Sequence, residues 1–197
     1  DILFYRYFIC NMSGVDGNEN PVMQDVRVRE AILHAIDREA LAASLFPDLA
    51  TVVNSGVLNS DPEYNGVTYE YDPELARQLL EEANFDFSKP LRILYYYSDQ
   101  VSIDFMDAVA YYLNQIGVQT EITQTSTGTV DMFQTRDYDI AYKGLSAFAV
   151  NEWYGEYQST NNNFMNIFGG DTAFDELTNQ LNESSDPAVR SETLSEL

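Results

Sequence analysis

The sequence predicts an α/β fold: a mixed sheet containing a βαβ unit, with helices packed on its faces. Three observations predict it. Residues 91–97 and 118–123 are short runs rich in apolar, β-branched and aromatic side chains, bounded by turn formers, as strands are. Between them, residues 101–116 carry Phe105, Ala108, Val109, Tyr112, Leu113 and Ile116 at helical spacing and stop at Gly117. Two strands joined by a helix of that length are parallel, with a right-handed crossover. At 197 residues and 45% hydrophobic content the chain is long enough for one well-packed core, so residues 1–197 are expected to form a single lobe.

The remaining elements follow in order. Residues 2–11 are apolar and aromatic on both faces, broken only by Arg6, which suits a strand buried within a sheet. A Gly, Asn and Asp cluster at 13–21 reads as a surface turn. Residues 25–46 read as one amphipathic helix, with Val28, Ala31, Ile32, Ala35, Ile36, Ala40 and Leu41 on its apolar stripe and Asp25 as N-cap. Residues 47–71 hold Gly56, Pro62 and Gly66 and no sustained period, so a long irregular segment is expected there. Asp72 then caps a helix with Pro73 at its first position, where the missing N–H costs nothing, and Leu75, Ala76, Leu79, Leu80 and Ala83 face the core. A short helix over 130–135 precedes a strand over 138–145. Past Gly144 and Ser146 the chain opens into a loop carrying Trp153, its single tryptophan. From Asp171 onward two more helical patterns follow, the first with Phe174, Leu177 and Leu181 inward. Asp1 leads straight into a strand and Leu197 stops inside a helical pattern, so the chain reads as a piece of a longer one.

Charge narrows the partners. There are 32 acidic and 10 basic residues, a formal charge of -22, and only Lys89 and Lys143 are lysines. Phosphate backbones and anionic lipid surfaces require a clustered basic face, and no cluster of that kind occurs. So much acid makes either an ordinary solvated surface or a salt-adapted one. No stretch approaches the ~20 apolar residues that span a bilayer.

Catalytic and metal chemistry find little support. Cys10 has no partner for an internal disulfide and lies in an apolar run, as a small buried hydrophobe does. His34 falls off the apolar stripe of its helix with no second His or Cys nearby in sequence, so a helix-packing role outweighs that of ligand or general base. Asp16, Asn18 and Asn20 begin like a calcium loop, but Pro21 stands where that loop needs Gly and Arg27 where it needs Glu. Gly169 and Gly170 read as the opening of a helix without the Lys and Ser or Thr of a P-loop. No catalytic residue, metal ligand or cofactor is assigned.

One pattern is far denser than chance. Asp25, Val26, Arg27, Val28, Arg29, Ala31, Ile32, Ala35, Ile36, Asp37, Arg38 and Glu39 resemble the D-V-R-V-R, A-I and A-I-D-R-E helix of the family 5 extracellular solute-binding proteins of ABC transporters, which include oligopeptide-, dipeptide- and nickel-binding proteins. Further matches keep the family's order: Tyr71, Asp72 and Pro73; Leu113, Ile116, Gly117 and Val118; Tyr138, Asp139, Ile140 and Gly144; and Phe174, Asp175 and Leu177. The resemblance covers almost the whole chain but only part of the family's length. It implies the contiguous C-terminal lobe of a type II periplasmic-binding-protein fold, with the first lobe and its lipoprotein signal lying outside this chain.

The resemblance also implies a function: a monomeric, extracellular protein, a cell-surface lipoprotein or periplasmic, that captures a peptide or other small amide-containing solute and delivers it to a membrane permease. The alternative reading is a sensory or regulatory protein that reuses the same lobe; a third and weakest, enzymatic reading would need His34 or a cleft carboxylate. Arg27, Arg29 and Asp37 are expected in helix caps and ion pairs rather than in the site. In peptide-binding relatives the loop after the Asp-Tyr-Asp type strand runs G-W-x-A-D-Y, and its aspartate pairs with the peptide's amino group. Here Gly144, Leu145, Ser146, Ala147, Phe148 and Ala149 stand there, with Phe148 in place of the carboxylate and Leu145 in place of Trp. Ser146, Phe148, Asn151, Trp153 and Tyr154 are the expected ligand-binding residues, the rings stacking on the solute and the Ser and Asn fixing its polar groups. Glu152, or a carboxylate of the other lobe, is then left to meet any ammonium.

Overall fold

The computed structural model describes residues 3–14 and 21–197. Its four strands are β1 (Leu3–Cys10), β2 (Leu91–Tyr95), β3 (Thr120–Gln124) and β4 (Ile140–Ala147), in the sheet order β1-β4-β2-β3. β2 runs parallel to β3, from Leu91 opposite Thr120 to Tyr95 opposite Gln124, and parallel to β4, from Ile93 opposite Ile140 to Tyr95 opposite Tyr142. Asn11, just past the end of β1, donates its N–H to the carbonyl of Asp139, just before the start of β4, at 2.9 Å. That end-to-start meeting makes β1 antiparallel and the sheet mixed.

The described residues group into two compact units. A sheet unit takes the described parts of Tyr7–Val52 and Tyr69–Lys143; a helical unit takes the described part of Asp1–Arg6 with Val53–Thr68 and Gly144–Leu197. The boundary falls inside β1 and inside β4.

In the sheet unit, β2, helix α4 (Gln100–Gln115) and β3 form the expected βαβ unit, with α1 (Val26–Ala35), α2 (Arg38–Leu45) and α3 (Pro73–Glu82) packed about the same core. Leu91, Ile93 and Tyr95 of β2 and Ile140 and Tyr142 of β4 meet Val28, Ala31, Ile32, Ala76, Leu80, Val109 and Leu113 from the helices, all buried. Each large apolar side chain taken fully from water there contributes about 1.5–3 kcal/mol. Asp99 caps α4 through the Ser102 N–H at 2.9 Å. Gly117 closes it in the left-handed region at φ +86, a conformation that favours glycine. Asp72 and Pro73 begin α3 as expected.

The single helix expected over 25–46 is two. Ile36 leaves the helix with φ -108 and ψ 120, and Asp37 caps α2 by accepting the Ala40 N–H at 2.9 Å. Ile36 and Leu41 stay buried on either side of the break, so the apolar stripe runs on although the hydrogen-bond ladder does not. Short helix α5 (Gly128–Val130) passes into a π-helical turn, Asp131–Thr135, closed by Arg136 in the left-handed region at φ 55. Of the turn expected over 13–21, residues 15–20 lie outside the described residues, as do Asp16, Asn18 and Asn20 of the rejected calcium loop.

In the helical unit, Val53–Thr68 carries no helix or strand, as expected. The loop expected after β4 is instead helix α6 (Val150–Gly155), followed by α7 (Asn162–Phe168), α8 (Thr172–Glu183) and α9 (Pro187–Glu196). Neither α6 nor α7 has a capping side chain, and each is held by buried rings or aliphatics: Tyr154 in the first, Phe164 and Ile167 in the second. Gly169 and Gly170 close rather than open a helix: α7 ends at Gly169 with φ 84, and Asp171 caps α8 by accepting from Ala173 and Phe174.

Candidate functional site

β4 and the start of α6 carry the candidate residues of the helical unit. Ser146 is exposed near the end of β4, and Phe148, one residue beyond the strand, is 75% exposed. The Phe148 N–H donates to Glu152 Oε2 at 3.0 Å. A phenyl ring therefore faces solvent at position 148, and the Glu152 carboxylate folds back from α6 onto the backbone N–H of the same residue. That bond satisfies an amide just outside the helix start, which is reason enough for a Glu three residues into α6. Asn151 donates to Asn182 Oδ1 of α8 at 3.1 Å.

Trp153 is half-buried in a cluster of rings, its centroid 5.7 Å from Tyr5, 5.0 Å from Tyr154 and 5.5 Å from Tyr157. The cluster closes on Gly56, where a Cβ would lie 2.6 Å from Trp153 Cε3 and 3.0 Å from Tyr154 Cζ. Tyr5 donates its hydroxyl to the Gly56 carbonyl at 2.7 Å. Tyr154 is 2% exposed, and burial pushes its phenol above the ordinary value. Ser146 and Phe148 thus present themselves to solvent, Asn151 and Trp153 present part of their surface, and Tyr154 backs Trp153 from the core.

The sequence reading missed one exposed ring of the same unit. Residues 2–11 were expected to be buried on both faces, but Phe4 of β1 is 56% exposed, with the Arg6 guanidinium 5.6 Å from its ring centroid. Arg6 is the one charge in that run, and two residues from Phe4 it lies on the same strand face. That pairing was the available signal.

The residues expected to be structural are so. The Asp25 carboxylate accepts from the Arg27 N–H at 2.9 Å and meets its guanidinium at 2.6 Å, which holds the Asp25 carboxyl below its ordinary value. Arg29 donates to the carbonyls of Met23 and Gln24. Asp139 accepts the Arg92 N–H at 2.8 Å and binds its guanidinium, pinning β4 beside β2. His34 Nδ1 lies 2.7 Å from the Glu70 carbonyl with the ring edge against Tyr69, a packing role in which that nitrogen carries the proton. Burial pushes the Cys10 thiol up to about 11, which leaves no thiolate at neutral pH. Among the described residues no group of three or more His, Cys, Asp or Glu is placed to hold a metal ion, and no helix is long and apolar enough to cross a membrane.

The fold is that of the type II periplasmic-binding proteins. The particular family follows from sequence: residues 2–175 match the bacterial extracellular solute-binding proteins, family 5 Middle, and the chain belongs to that family. A Brucella ovis protein named for ABC-transporter peptide binding is 36% identical over 115 residues, which make up 56% of this chain and 22% of that protein. AppA of Bacillus subtilis, solved with a nonapeptide, superposes with a TM-score of 0.75 at 21% identity, over 100% of this chain and 43% of AppA. NikZ of Campylobacter jejuni, solved with Ni(L-His), superposes with a TM-score of 0.79 at 19% identity, over 99% of this chain and 43% of NikZ. The likeness to these two is one of fold. The chain spans about a fifth of the length of the curated relative and under half of each solved chain.

Proposed function

We propose that residues 1–197 form one lobe of a two-lobed, monomeric extracellular protein, anchored by lipid or free in a periplasm, that captures a peptide or other small amide-containing solute and hands it to an ABC permease. The observation that carries this reading is the exposed Ser146–Phe148 wall at the end of β4 in a chain of this family. In the proposed site Phe148 and the open edge of Trp153 stack on the solute, Ser146 and Asn151 bond its polar groups, and Tyr154 holds Trp153 from behind. With a phenyl group at 148, the wall favours an apolar solute segment, and a ligand ammonium would be met by Glu152 or by the other lobe. Closure follows from contact: a solute that touches both lobes only in the closed state shifts the population toward it by the energy of the added contacts.

Native mass spectrometry of the full-length protein as purified, followed by thermal-shift screens against tripeptide, sugar and metal-chelate panels, tests this. A retained solute, or a shift with the tripeptides that Phe148→Ala weakens, supports it. No retained solute and no shift from any panel sinks it. The 197-residue chain alone, lacking half the contacts, is expected to bind tripeptides no tighter than about 1 mM. Micromolar calorimetric titration of that chain would contradict the two-lobe reading.

A further inference from the structure

The helical unit carries a pair of residues whose chemistry solute capture does not use. Asn65 and Gly66 lie in the irregular segment Val53–Thr68, both exposed to solvent. Asn65 is the one asparagine in the sequence that a glycine follows. Such pairs favour turns, and Gly66 takes the left-handed region at φ +80, where an added Cβ would meet nothing within 4 Å. Two other asparagines of the segment, Asn54 and Asn59, precede serines, so the segment holds its own comparison.

The Asn65 side chain is held at both of its polar atoms. Its Oδ1 accepts the Val67 N–H at 3.1 Å, and its Nδ2 donates to the Ser195 carbonyl, in the last turn of α9, at 3.4 Å. The first bond folds the amide back over the peptide that follows it and draws electron density from Cγ toward Oδ1. Attack of the Gly66 nitrogen on that Cγ closes a five-membered ring, and a side chain on the attacking residue would crowd the approach. Gly66 has none, and nothing packs over it.

We propose that Asn65 is a site of spontaneous deamidation, a slow chemical switch that cuts the tie between segment Val53–Thr68 and α9. The Gly66 nitrogen loses its proton to water and bonds to Asn65 Cγ, the Cγ–Nδ2 bond breaks, and Nδ2 leaves as ammonia. Water then opens the cyclic imide at either carbonyl, giving aspartate or, with the backbone rerouted through the side chain, isoaspartate. One water is consumed, one ammonia is released, and no oxidation state changes. The product carboxylate has no N–H to offer the Ser195 carbonyl, and two acceptors face each other where a hydrogen bond stood. Isoaspartate also lengthens the backbone between Asn65 and the Val67 N–H.

The test incubates the full-length protein in warm, mildly alkaline buffer, native and in urea, and maps its peptides by mass spectrometry that resolves aspartate from isoaspartate. Native Asn65 is expected to convert severalfold faster than Asn54 or Asn59, at a rate within severalfold of that in urea. Gly66→Ala, which strains the turn without a clash, and Asn65→Gln, which keeps the amide donor, should each slow conversion at 65 severalfold and leave Asn54 and Asn59 unchanged. As Asn65 converts, hydrogen exchange should rise in peptides spanning Val53–Thr68 and Pro187–Glu196. Asn65 intact while Asn54 or Asn59 converts, a Gly66→Ala rate equal to wild type, or a native rate far below that in urea overturns the site. Conversion with no rise in exchange overturns the switch.

Discussion

The two units reach stability by different chemistry. The sheet unit buries Ile, Leu, Val, Ala and Met from long capped helices against a sheet. The helical unit builds much of its interior from rings: Tyr5, Trp153, Tyr154, Tyr157, Phe164 and Phe174 form a chain of contacts with centroids 5.0–6.4 Å apart. Those rings come from β1, from α6, α7 and α8, and from Tyr157 in the turn after α6. An aliphatic stripe repeats along one element and can be read from spacing. A ring cluster is assembled from side chains far apart in sequence, each placed by the others, and no period announces it.

The difference can be broken or sharpened by substitution. The largest effect is expected from Leu113→Ala in the sheet unit: Leu113 is 1% exposed between helix and sheet, and its loss should cost about 3 kcal/mol in urea unfolding followed by far-UV circular dichroism. A cost under about 1 kcal/mol would mean that the aliphatic core collapses around the cavity and is not the rigid element described here. Next comes Gly56→Ala, which forces a methyl group into Trp153 and Tyr154 and should cost about 2 kcal/mol. Trp153 is the only tryptophan, so its emission reports this unit directly. Gly155→Ala, where a Cβ meets nothing within 4 Å, is the control. Equal costs for the two glycines would show that the ring cluster is loosely packed.

The smallest effect is a pH dependence in the sheet unit. Hydrogen bonds from Thr125 and Thr127 hold the Asp131 carboxyl below its ordinary value. A folded value below the unfolded one means that the contribution is fully present above the unfolded value, about 3.9, and is lost as pH falls through the folded one. The drop in urea midpoint between pH 7 and pH 3 should therefore be slightly smaller in Asp131→Asn than in wild type. An identical drop would show that the two threonine bonds do not favour the ionised form.

How much could be read in advance follows the same division. The βαβ unit, the Asp25 and Asp72 caps and the closing Gly117 were legible because caps and left-handed glycines act locally. The break at Ile36 was not, because both halves keep their apolar residues inward and only the backbone changes. Helices α6 and α7 were hidden because they are short, lack side-chain caps and owe their form to buried Tyr154, Phe164 and Ile167. At the candidate site, Phe148 in place of a carboxylate was visible in the sequence, while the return of Glu152 to the Phe148 amide and the exposure of Phe4 were not.

By itself, then, the sequence determined the α/β class, the family, the helix starts at Asp25 and Asp72 and the absence of a carboxylate at 148, all properties of neighbouring residues or of a repeating pattern. Tertiary structure alone decided which rings face water, that Gly56 must lack a side chain, and that Tyr95 and Tyr142 come side by side where β2 and β4 pair. The physical reason is range. Backbone preference and amphipathic period act over a few residues, whereas burial, close packing and strand order depend on segments dozens of positions apart that meet only once the chain has folded.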